Sequence, residues 1–318
     1  MPPGRRTQLP YARTFREMPN NIRFHVRSLL KRPLVAAWNE AHKLGWLARD
    51  YASAIVAGRV ERCSVCGLVR PMLYRRRVIP PRLVELWGLS ALQAEALARK
   101  ESGDCSACGA KLRARRLAEV LLGLYPSDAG HSPDLRAWAK TPEASRLRIA
   151  EINRIDGVHE ALADLPAFQP SDFVPGAARG ATVGGVRHED LDRLTYPDSD
   201  FDLVLTSETL EHVPDLGRAL AEIHRILAPG GRHVFTIPVS PDVPATFPRA
   251  RLRDDGAIEE LAPPLRHPGG DVGYLVFTEL GRDVPEILRA AGFETEVRFG
   301  PVRDDDLAQV YVCRKPTD

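Results

Sequence analysis

Long apolar runs are missing from this chain. The longest, such as Leu117–Leu124, fall far short of the ~20 residues that cross a bilayer, so no membrane partner is expected. No low-complexity tract and no repeat of about 20–50 residues is visible, which excludes collagen-like, mucin-like and solenoid architectures. Behind Met1-Pro-Pro-Gly-Arg-Arg there is no apolar segment of the kind a secretory signal needs, and a cytoplasmic location is the expectation. Net charge is also scarce. Forty-four basic and 42 acidic side chains leave +2, too little for a global field that would draw in nucleic acid or anionic lipid. Cysteine is rare, at five in 318 residues.

What remains is the composition of a folded protein, 44% hydrophobic and 27% charged. At ~100–200 residues per domain, the length predicts more than one unit. The local basic excess is N-terminal: Arg5, Arg6, Arg13, Arg16, Arg23, Arg27, Lys31 and Arg32 face Glu17 alone. Arginine is favoured along the whole chain, so this is read mainly as composition bias, with a basic arm touching a phosphate or a partner as the minor reading. Residues 1–60 are expected to form that arm and a helical segment beginning near Asn21.

Four of the cysteines are ordered as Cys63-Ser-Val-Cys66-Gly67 and Cys105-Ser-Ala-Cys108-Gly109, with 38 residues between the pairs. Two C-x-x-C-G knuckles bring four thiolates to one tetrahedral zinc. The two-residue spacer turns both sulfurs inward, and the glycine permits the tight turn behind the second. A disulfide suits a cytosolic chain poorly, and thioredoxin-like chemistry uses one C-x-x-C rather than two. The expected metal ligands are therefore Cys63, Cys66, Cys105 and Cys108, in a zinc-knuckle module over 61–125. Four sulfur ligands leave no open position, so the zinc is structural. One helix or two short ones are expected over Leu83–Lys100, and a helix through Leu117–Leu124 closes the module. The proline-marked stretch 126–144 reads as a linker. Cys313 alternates like a strand residue and is expected to be buried and inert.

From 145 to 318 strand and helix alternate, which predicts an α/β fold with a parallel sheet. Leu147–Glu151 reads as the first strand, and His159–Leu165 as a helix. Val183–His188 and the apolar run Phe201–Thr206 follow as strands. Leu216, Leu220, Ile223 and Leu227 recur at helical spacing up to Pro229-Gly230-Gly231. Arg232–Pro238 is a further strand and Glu279–Ala291 a helix. Phe293–Phe299 and Leu307–Arg314 read as a closing hairpin.

The run Tyr196-Pro-Asp-Ser-Asp-Phe-Asp-Leu-Val-Leu-Thr-Ser-Glu-Thr-Leu-Glu-His-Val213, followed by Ala219–Gly231 and His233-Val-Phe-Thr-Ile-Pro238, resembles a class I S-adenosylmethionine-dependent methyltransferase. The knuckles resemble a subgroup in which a zinc-binding segment precedes the transferase domain. That resemblance implies a Rossmann-like, seven-stranded mixed sheet over 145–318. It also implies S-adenosylmethionine as cofactor beside the structural zinc, and a substrate-side insertion over 240–275.

The resemblance further implies roles for single residues. Glu151 is the acid at the end of the first strand, and Gly157 belongs to the turn behind it. Asp172 stands where a carboxylate accepts from the ribose hydroxyls. Asp190 and the N–H of Leu191 stand where adenine is held, and Ser207 and Glu208 would line the methionine and methyl end. His212 is the candidate base for an acceptor hydroxyl, its unperturbed pKa lying near ~6.5. In the insertion His267, Arg249 and Tyr274 are substrate candidates, with Thr246 and Arg251 beside them. Asp304-Asp305-Asp306 reads as a solvated turn rather than a metal site.

The turn after the first strand departs from the family's glycine-rich pattern, reading Glu151-Ile-Asn-Arg-Ile-Asp-Gly157 with a single glycine. The expected reaction is methyl transfer to a small-molecule acceptor, at a hydroxyl on a sugar or natural-product scaffold, with homodimerisation left open. Two alternatives stand beside it. One is an RNA methyltransferase whose zinc module reads nucleic acid through arginines such as Arg70, Arg75, Arg113 and Arg116, against which the near-neutral charge counts. The other is a non-catalytic binding protein with a decayed transferase fold, motivated by the altered turn.

Overall fold

A computed structural model describes residues 48–75, 78–128, 130–267 and 273–317. The chain falls into two units, Met1–Ser53 and Ala54–Asp318, and the fold below is that of the second. The basic arm and most of the expected N-terminal helical segment lie outside the described residues.

The first elements build the cysteine module. Strands β1 (Val60–Arg62), β2 (Val69–Leu73) and β3 (Asp104–Cys105) form a small antiparallel sheet in that order. One knuckle follows β1 and the other follows β3, and they fold alike. Gly67 N–H returns to Cys63 O and Gly109 N–H to Cys105 O, each at 2.8 Å. Both glycines sit at φ +74°, a conformation that only glycine adopts cheaply. Between the knuckles Leu83–Lys100 resolves into two helices, α1 (Pro81–Leu86) and α2 (Ala91–Glu101). Gly88 at φ +62° breaks the run, and Ser90 restarts it through a capping box with Gln93. Helix α3 (Leu112–Leu124) then buries Leu117, Ala118 and Leu121.

The stretch 126–144 packs rather than links. Helices α4 (Leu135–Trp138) and α5 (Pro142–Arg146) lie within it. Leu135 and Trp138 are fully buried, and Trp138 donates its indole N–H to Tyr125 O at 2.8 Å. The start of α4 bonds the first knuckle, Leu135 N–H donating to Ser64 O and Arg136 N–H to Val65 O. Prolines and polar residues signal an irregular path, but a fully buried tryptophan makes that path part of the core.

The large sheet comprises β4 (Ile149–Ile152), β5 (Phe168–Asp172), β6 (Thr182–Val183), β7 (Val186–His188), β8 (Phe201–Ser207), β9 (Leu227–Thr236), β16 (Glu294–Arg298) and β17 (Val310–Arg314). Its order is β16-β17-β9-β8-β4-β5-β7-β6, with β9 through β7 parallel and the two edges antiparallel. It has eight strands rather than the expected seven, because Gly184 and Gly185, both at positive φ, fold Thr182–His188 into a hairpin instead of one strand. Helix α6 (Val158–Leu162) follows β4, and α7 (Leu216–Ile226) connects β8 to β9.

Helix α7 stops before the Pro-Gly-Gly signal, and β9 runs through it. Phe201 pairs with Leu227 and, past an irregularity, Leu203 with Arg232. The C-terminal segment fixes this path: Lys315 donates its ammonium to His224 O and Leu227 O, and its backbone bonds Gly230 and Gly231.

Each face of the sheet carries one apolar cluster. The first joins α3, α4 and α6 to the sheet and takes in Cys63, Cys66 and Cys105. The second is built on Ala219, Leu220, Ile223 and Ile226 of α7 with Phe235, Tyr311 and Cys313. The cysteine module is thus packed onto the sheet through a shared core.

The insertion after β9 is a set of short antiparallel pairs. Strand β10 (Phe247–Pro248) pairs with β15 (Thr278–Glu279), β11 (Ala250–Leu252) with β12 (Ile258–Glu260), and β13 (Arg266–His267) with β14 (Tyr274–Leu275). Helix α8 (Val284–Ala290) is shorter than the expected Glu279–Ala291, because Thr278 and Glu279 are spent on β15. Among the described residues no helix is long and apolar enough to cross a membrane.

Candidate active site

Chain order reverses between β4 and β8, and an open α/β sheet binds ligands outside its strand ends at such a switch point. The ends of β4, β5, β7 and β8 carry Glu151, Asp172, His188 and Ser207. Here the expected cofactor residues gather.

Glu151 is fully buried and spent on the turn behind it. It accepts from Ile155 N–H at 3.1 Å and lies 2.6 Å from His159 Nδ1. Burial pushes its carboxyl above the usual range, partly offset by the His159 contact. The missing glycines have a local explanation. Asn153 takes φ +65° and Gly157 φ +75°, so the turn keeps two left-handed positions, one filled by the residue type that best tolerates that region without being glycine. Asn153 also donates to Thr209 Oγ1 at 3.1 Å, tying the end of β4 to the segment after β8. Gly157 has a second constraint, since a Cβ there would meet Ala110 Cβ at 2.9 Å and Cys108 O at 3.3 Å. The second knuckle therefore rests on this turn. A cleft of about 460 Å3 opens between Cys108, Gly109 and Lys111 on one side and Arg154, Asp156 and Gly157 on the other.

At the end of β5 Asp172 accepts from Arg154 N–H at 3.1 Å. Phe173 beside it is 58% exposed, an aromatic face that sequence reasoning did not single out. After β7 the two neighbouring acids differ. Glu189 is buried and engaged by Arg187 and by Thr195 N–H, whereas Asp190 is part-exposed, 3.4 Å from Arg179. Leu191 is buried. Burial and the Asp190 charge push Asp192 up to about 6.

Ser207 and Glu208 at the end of β8 are met by the cysteine module. Arg113 Nε donates to Ser207 Oγ at 3.2 Å, and its guanidinium also pairs with Glu101. Lys100 Nζ, fully buried, lies 2.8 Å from Glu208 Oε2 and donates to Ile237 O at 3.0 Å. Glu208 sits at φ +50°, an uncommon conformation for a non-glycine residue. Lys100 had no signal of its own in the sequence, and Arg113 was read only as one of the arginines of a nucleic-acid face, because both contacts here are made about a hundred residues away along the chain.

Beyond β8 a short 3-10 turn, Leu210–His212, carries the acceptor side. His212 Nδ1 is 2.8 Å from Leu275 O, and its Nε2 is 3.3 Å from His267 Nδ1. Tyr274 packs at 5.9 Å from the His212 ring and Trp87 at 5.7 Å from the His267 ring. His212 and two residues of the insertion, His267 and Tyr274, thus meet at one place. Glu211, which was not singled out, joins them: it is 1% exposed, with Oε1 at 3.4 Å from His212 Nε2 and 3.5 Å from His267 Nδ1. Burial raises its carboxyl, and the two imidazoles more than offset this, holding it below the usual carboxylate range. The other insertion candidates are engaged elsewhere. Arg249 is held by Glu279 and by Pro263 O, Arg251 by Glu259, and Thr246 by Asp283. Each of these polar side chains meets an acidic partner, Glu259 inside the insertion and Glu279 and Asp283 just beyond it.

The four knuckle sulfurs lie within 4.8 Å of one another. Cys63 Sγ is 3.7 Å from Cys108 Sγ, and Cys66 Sγ is 3.8 Å from Cys105 Sγ. A tetrahedral ion with Zn–S bonds near ~2.3 Å needs sulfurs about 3.8 Å apart, so the donor set fits zinc. The contact with Cys108 lowers the Cys63 thiol and raises that of Cys108, so the pair shares one proton unequally. Cys313 is buried, and burial raises it to about 12. The acidic turn Asp304–Asp306 is a docking point instead: Asp306 pairs with Arg116 and Asp304 accepts from Gln93.

A family model described as "Methyltransferase domain" matches residues 141–235. A demethylmenaquinone methyltransferase of Deinococcus radiodurans is 35% identical over 187 residues, covering 51% of this chain and 76% of that one. A 27-O-demethylrifamycin SV methyltransferase of Amycolatopsis mediterranei is 27% identical over 136 residues, covering 40% of this chain and 48% of that one. Among solved structures, an S-adenosylmethionine dependent methyltransferase from Mesorhizobium loti aligns at 22% identity and a TM-score of 0.36, over 57% of this chain and 95% of that one.

Proposed function

The chain belongs to the S-adenosylmethionine-dependent class I methyltransferases, and from that premise we propose that it methylates a hydroxyl of a small-molecule acceptor, on a sugar or natural-product scaffold. One observation carries the reading. Beyond the strand end that carries Ser207 and Glu208, two imidazoles, a phenol and a buried carboxylate converge on one spot. Such a set can bind a hydroxyl and remove its proton. The rifamycin relative, whose name is that of an O-methyl transfer, supports the same choice.

The residues at the strand ends fit the cofactor. When bound, it would supply an electrophilic methyl group on a sulfonium. Asp172 would accept from the ribose hydroxyls, with Phe173 offering a flat apolar face to the base. Asp190 and the Leu191 N–H would hold the adenine edge. The Asn153–Gly157 turn would let backbone approach the methionine part, and Ser207 and Glu208 would flank its methyl end. On the acceptor side, an Nδ1–H donated to Leu275 O leaves the Nε2 lone pair of His212 directed at the cluster, where it can take the acceptor proton.

Zinc at Cys63, Cys66, Cys105 and Cys108 would cross-link the module that rests on the cofactor turn, and four thiols suit a reducing cytoplasm. Calorimetric titration with S-adenosylhomocysteine tests the reading. Micromolar binding is expected, followed by methyl transfer in a screen of sugars and hydroxylated metabolites. A folded, zinc-loaded protein that binds neither cofactor form would refute it.

A further inference from the structure

We propose that Glu211, His212 and His267 hold a divalent transition-metal ion, zinc being the best fit, at a site distinct from the four cysteines and facing the acceptor. The proposal deepens the methyl-transfer reading and rests on it for the role of the ion, but not for its presence.

The geometry of the donor atoms comes first. Glu211 Oε1, His212 Nε2 and His267 Nδ1 form a nearly equilateral triangle with sides of 3.3, 3.4 and 3.5 Å. In a tetrahedral zinc site with bonds of about 2.0–2.15 Å, ligand atoms stand about 3.3–3.5 Å apart. An octahedral magnesium site with bonds of about 2.1 Å would bring neighbouring ligands to about 3.0 Å, tighter than any side here. Two imidazoles and a carboxylate, with a fourth position open, form a donor set of catalytic zinc.

A second observation is independent of those distances. Glu211 is 1% exposed, yet neither of its carboxylate oxygens has a hydrogen bond of ordinary geometry among the described residues. A buried carboxylate left in that state is strongly disfavoured unless a cation compensates it. The third observation is the support behind the ligands. His212 has its Nδ1 on Leu275 O, the arrangement that fixes a metal-binding imidazole in the tautomer whose Nε2 is free. Glu211 O accepts from Phe277 N–H at 2.8 Å, and His267 lies opposite Tyr274 in the β13–β14 pair. All three ligands are thus held by the same short ribbon.

With the ion in place, His212 acts as a ligand, and activation of the acceptor passes to the cation. The acceptor hydroxyl takes the open position and releases its proton to solvent. Its oxygen then forms the C–O bond to the methyl group as the S–CH3 bond breaks, the electron pair staying on sulfur to give S-adenosylhomocysteine.

The test is metal content of the full chain, purified without chelator, stripped, and reloaded with Zn2+ or Co2+. Two ions per chain are expected, one for each cluster. His267→Ala and Glu211→Gln should each retain one, and Cys105→Ser should lose the other. In the Co2+ form, the near-ultraviolet thiolate band should survive His267→Ala while the visible bands of the nitrogen–oxygen site disappear. A single cooperative melt and unchanged S-adenosylhomocysteine binding in His267→Ala would show that the variant is folded. One ion per chain in the parent, retained in His267→Ala and lost in Cys105→Ser, would overturn the proposal and leave a proton relay at the cluster. The proposed methylation fails separately, if two ions bind but neither cofactor form does.

Discussion

Lys100 and Glu208 are 108 residues apart in sequence, and their charged groups meet at 2.8 Å with the lysine fully buried. The pair fastens the helix between the two knuckles to the end of the strand beside the proposed methyl site. Its lysine has one further partner, Ile237 O, so the ammonium is compensated within the protein.

Breaking that pair from one side should be costly. Lys100→Met leaves Glu208, 15% exposed, without its ion-pair partner and with only the more distant Arg113 guanidinium to offset its charge, and about 3 kcal/mol of stability should be lost. Adding Glu208→Gln to Lys100→Met should recover part of the loss, because the orphaned charge is gone. Urea unfolding of the three proteins measures this; equal midpoints would mean the pair contributes nothing.

Asp172→Ala should lower the affinity for S-adenosylhomocysteine by about 100-fold or more, since two hydrogen bonds to a charged acceptor are worth about 1.5–3 kcal/mol each. The loss of its bond from Arg154 N–H is local and should leave the melting temperature nearly unchanged. Titration calorimetry together with a thermal melt separates the two effects. Unchanged affinity in the variant would move the ribose elsewhere.

Removal of the proposed zinc should reach the Asn153–Gly157 turn, where the cofactor is proposed to sit. Cys108 O and Ala110 lie against Gly157, and the knuckle cysteines share an apolar cluster with Leu162, Leu203 and Leu205. Cys105→Ser, or a strong chelator, should therefore lower the melting temperature of the whole described unit and weaken S-adenosylhomocysteine binding with it. Gly157→Ala should weaken binding in the same direction, by forcing apart the same contact and disfavouring φ +75°. A chelated protein that melts and binds as before would separate the knuckles from the site.

Much of this was legible from residue order. The apolar run Phe201–Thr206 announced the central strand, and the paired C-x-x-C-G spacing announced a four-sulfur cluster. His212 was singled out after the central strand and His267 and Tyr274 in the insertion, and the three do meet. What stayed hidden depended on partners distant in sequence. Glu211 looks like any acid in a loop until burial and the two imidazoles are seen together, and Asn153 reads as polar until its φ is known. The packed path of 126–144 was masked by its prolines, although Trp138 was the signal that could have revealed it. The pairing of Arg249 with Glu279 could not be read from the sequence, because an arginine in an insertion is as well satisfied by an acidic neighbour as by a ligand.

His233 gives the fold a predictable acid sensitivity. It lies fully buried in β9, stacked on Phe235 at 4.0 Å between ring centres, with Nε2 2.9 Å from Thr206 Oγ1 and Nδ1 without a partner among the described residues. Burial lowers its pKa from 6.5 to about 3. Between those two values the unfolded chain binds a proton that the native state refuses, so the stability His233 contributes is complete above pH 6.5 and falls as the pH drops. The slope approaches about 1.4 kcal/mol per pH unit, and about 2 kcal/mol should be gone by pH 5. Asp192 works the other way: its raised pKa of about 6 makes the native state the stronger proton binder from there down toward 3.8. The net curve of the parent is therefore shallower than His233 alone would give. Comparison with His233→Gln removes that complication, since Asp192 is common to both. Denaturant midpoints measured from pH 8 to pH 5 should fall more steeply in the parent than in the variant, by an amount equivalent to about one proton near pH 5. Parallel curves would mean that the His233 proton is accommodated in the fold after all, through movement of the Thr206 hydroxyl or entry of water beside Nδ1.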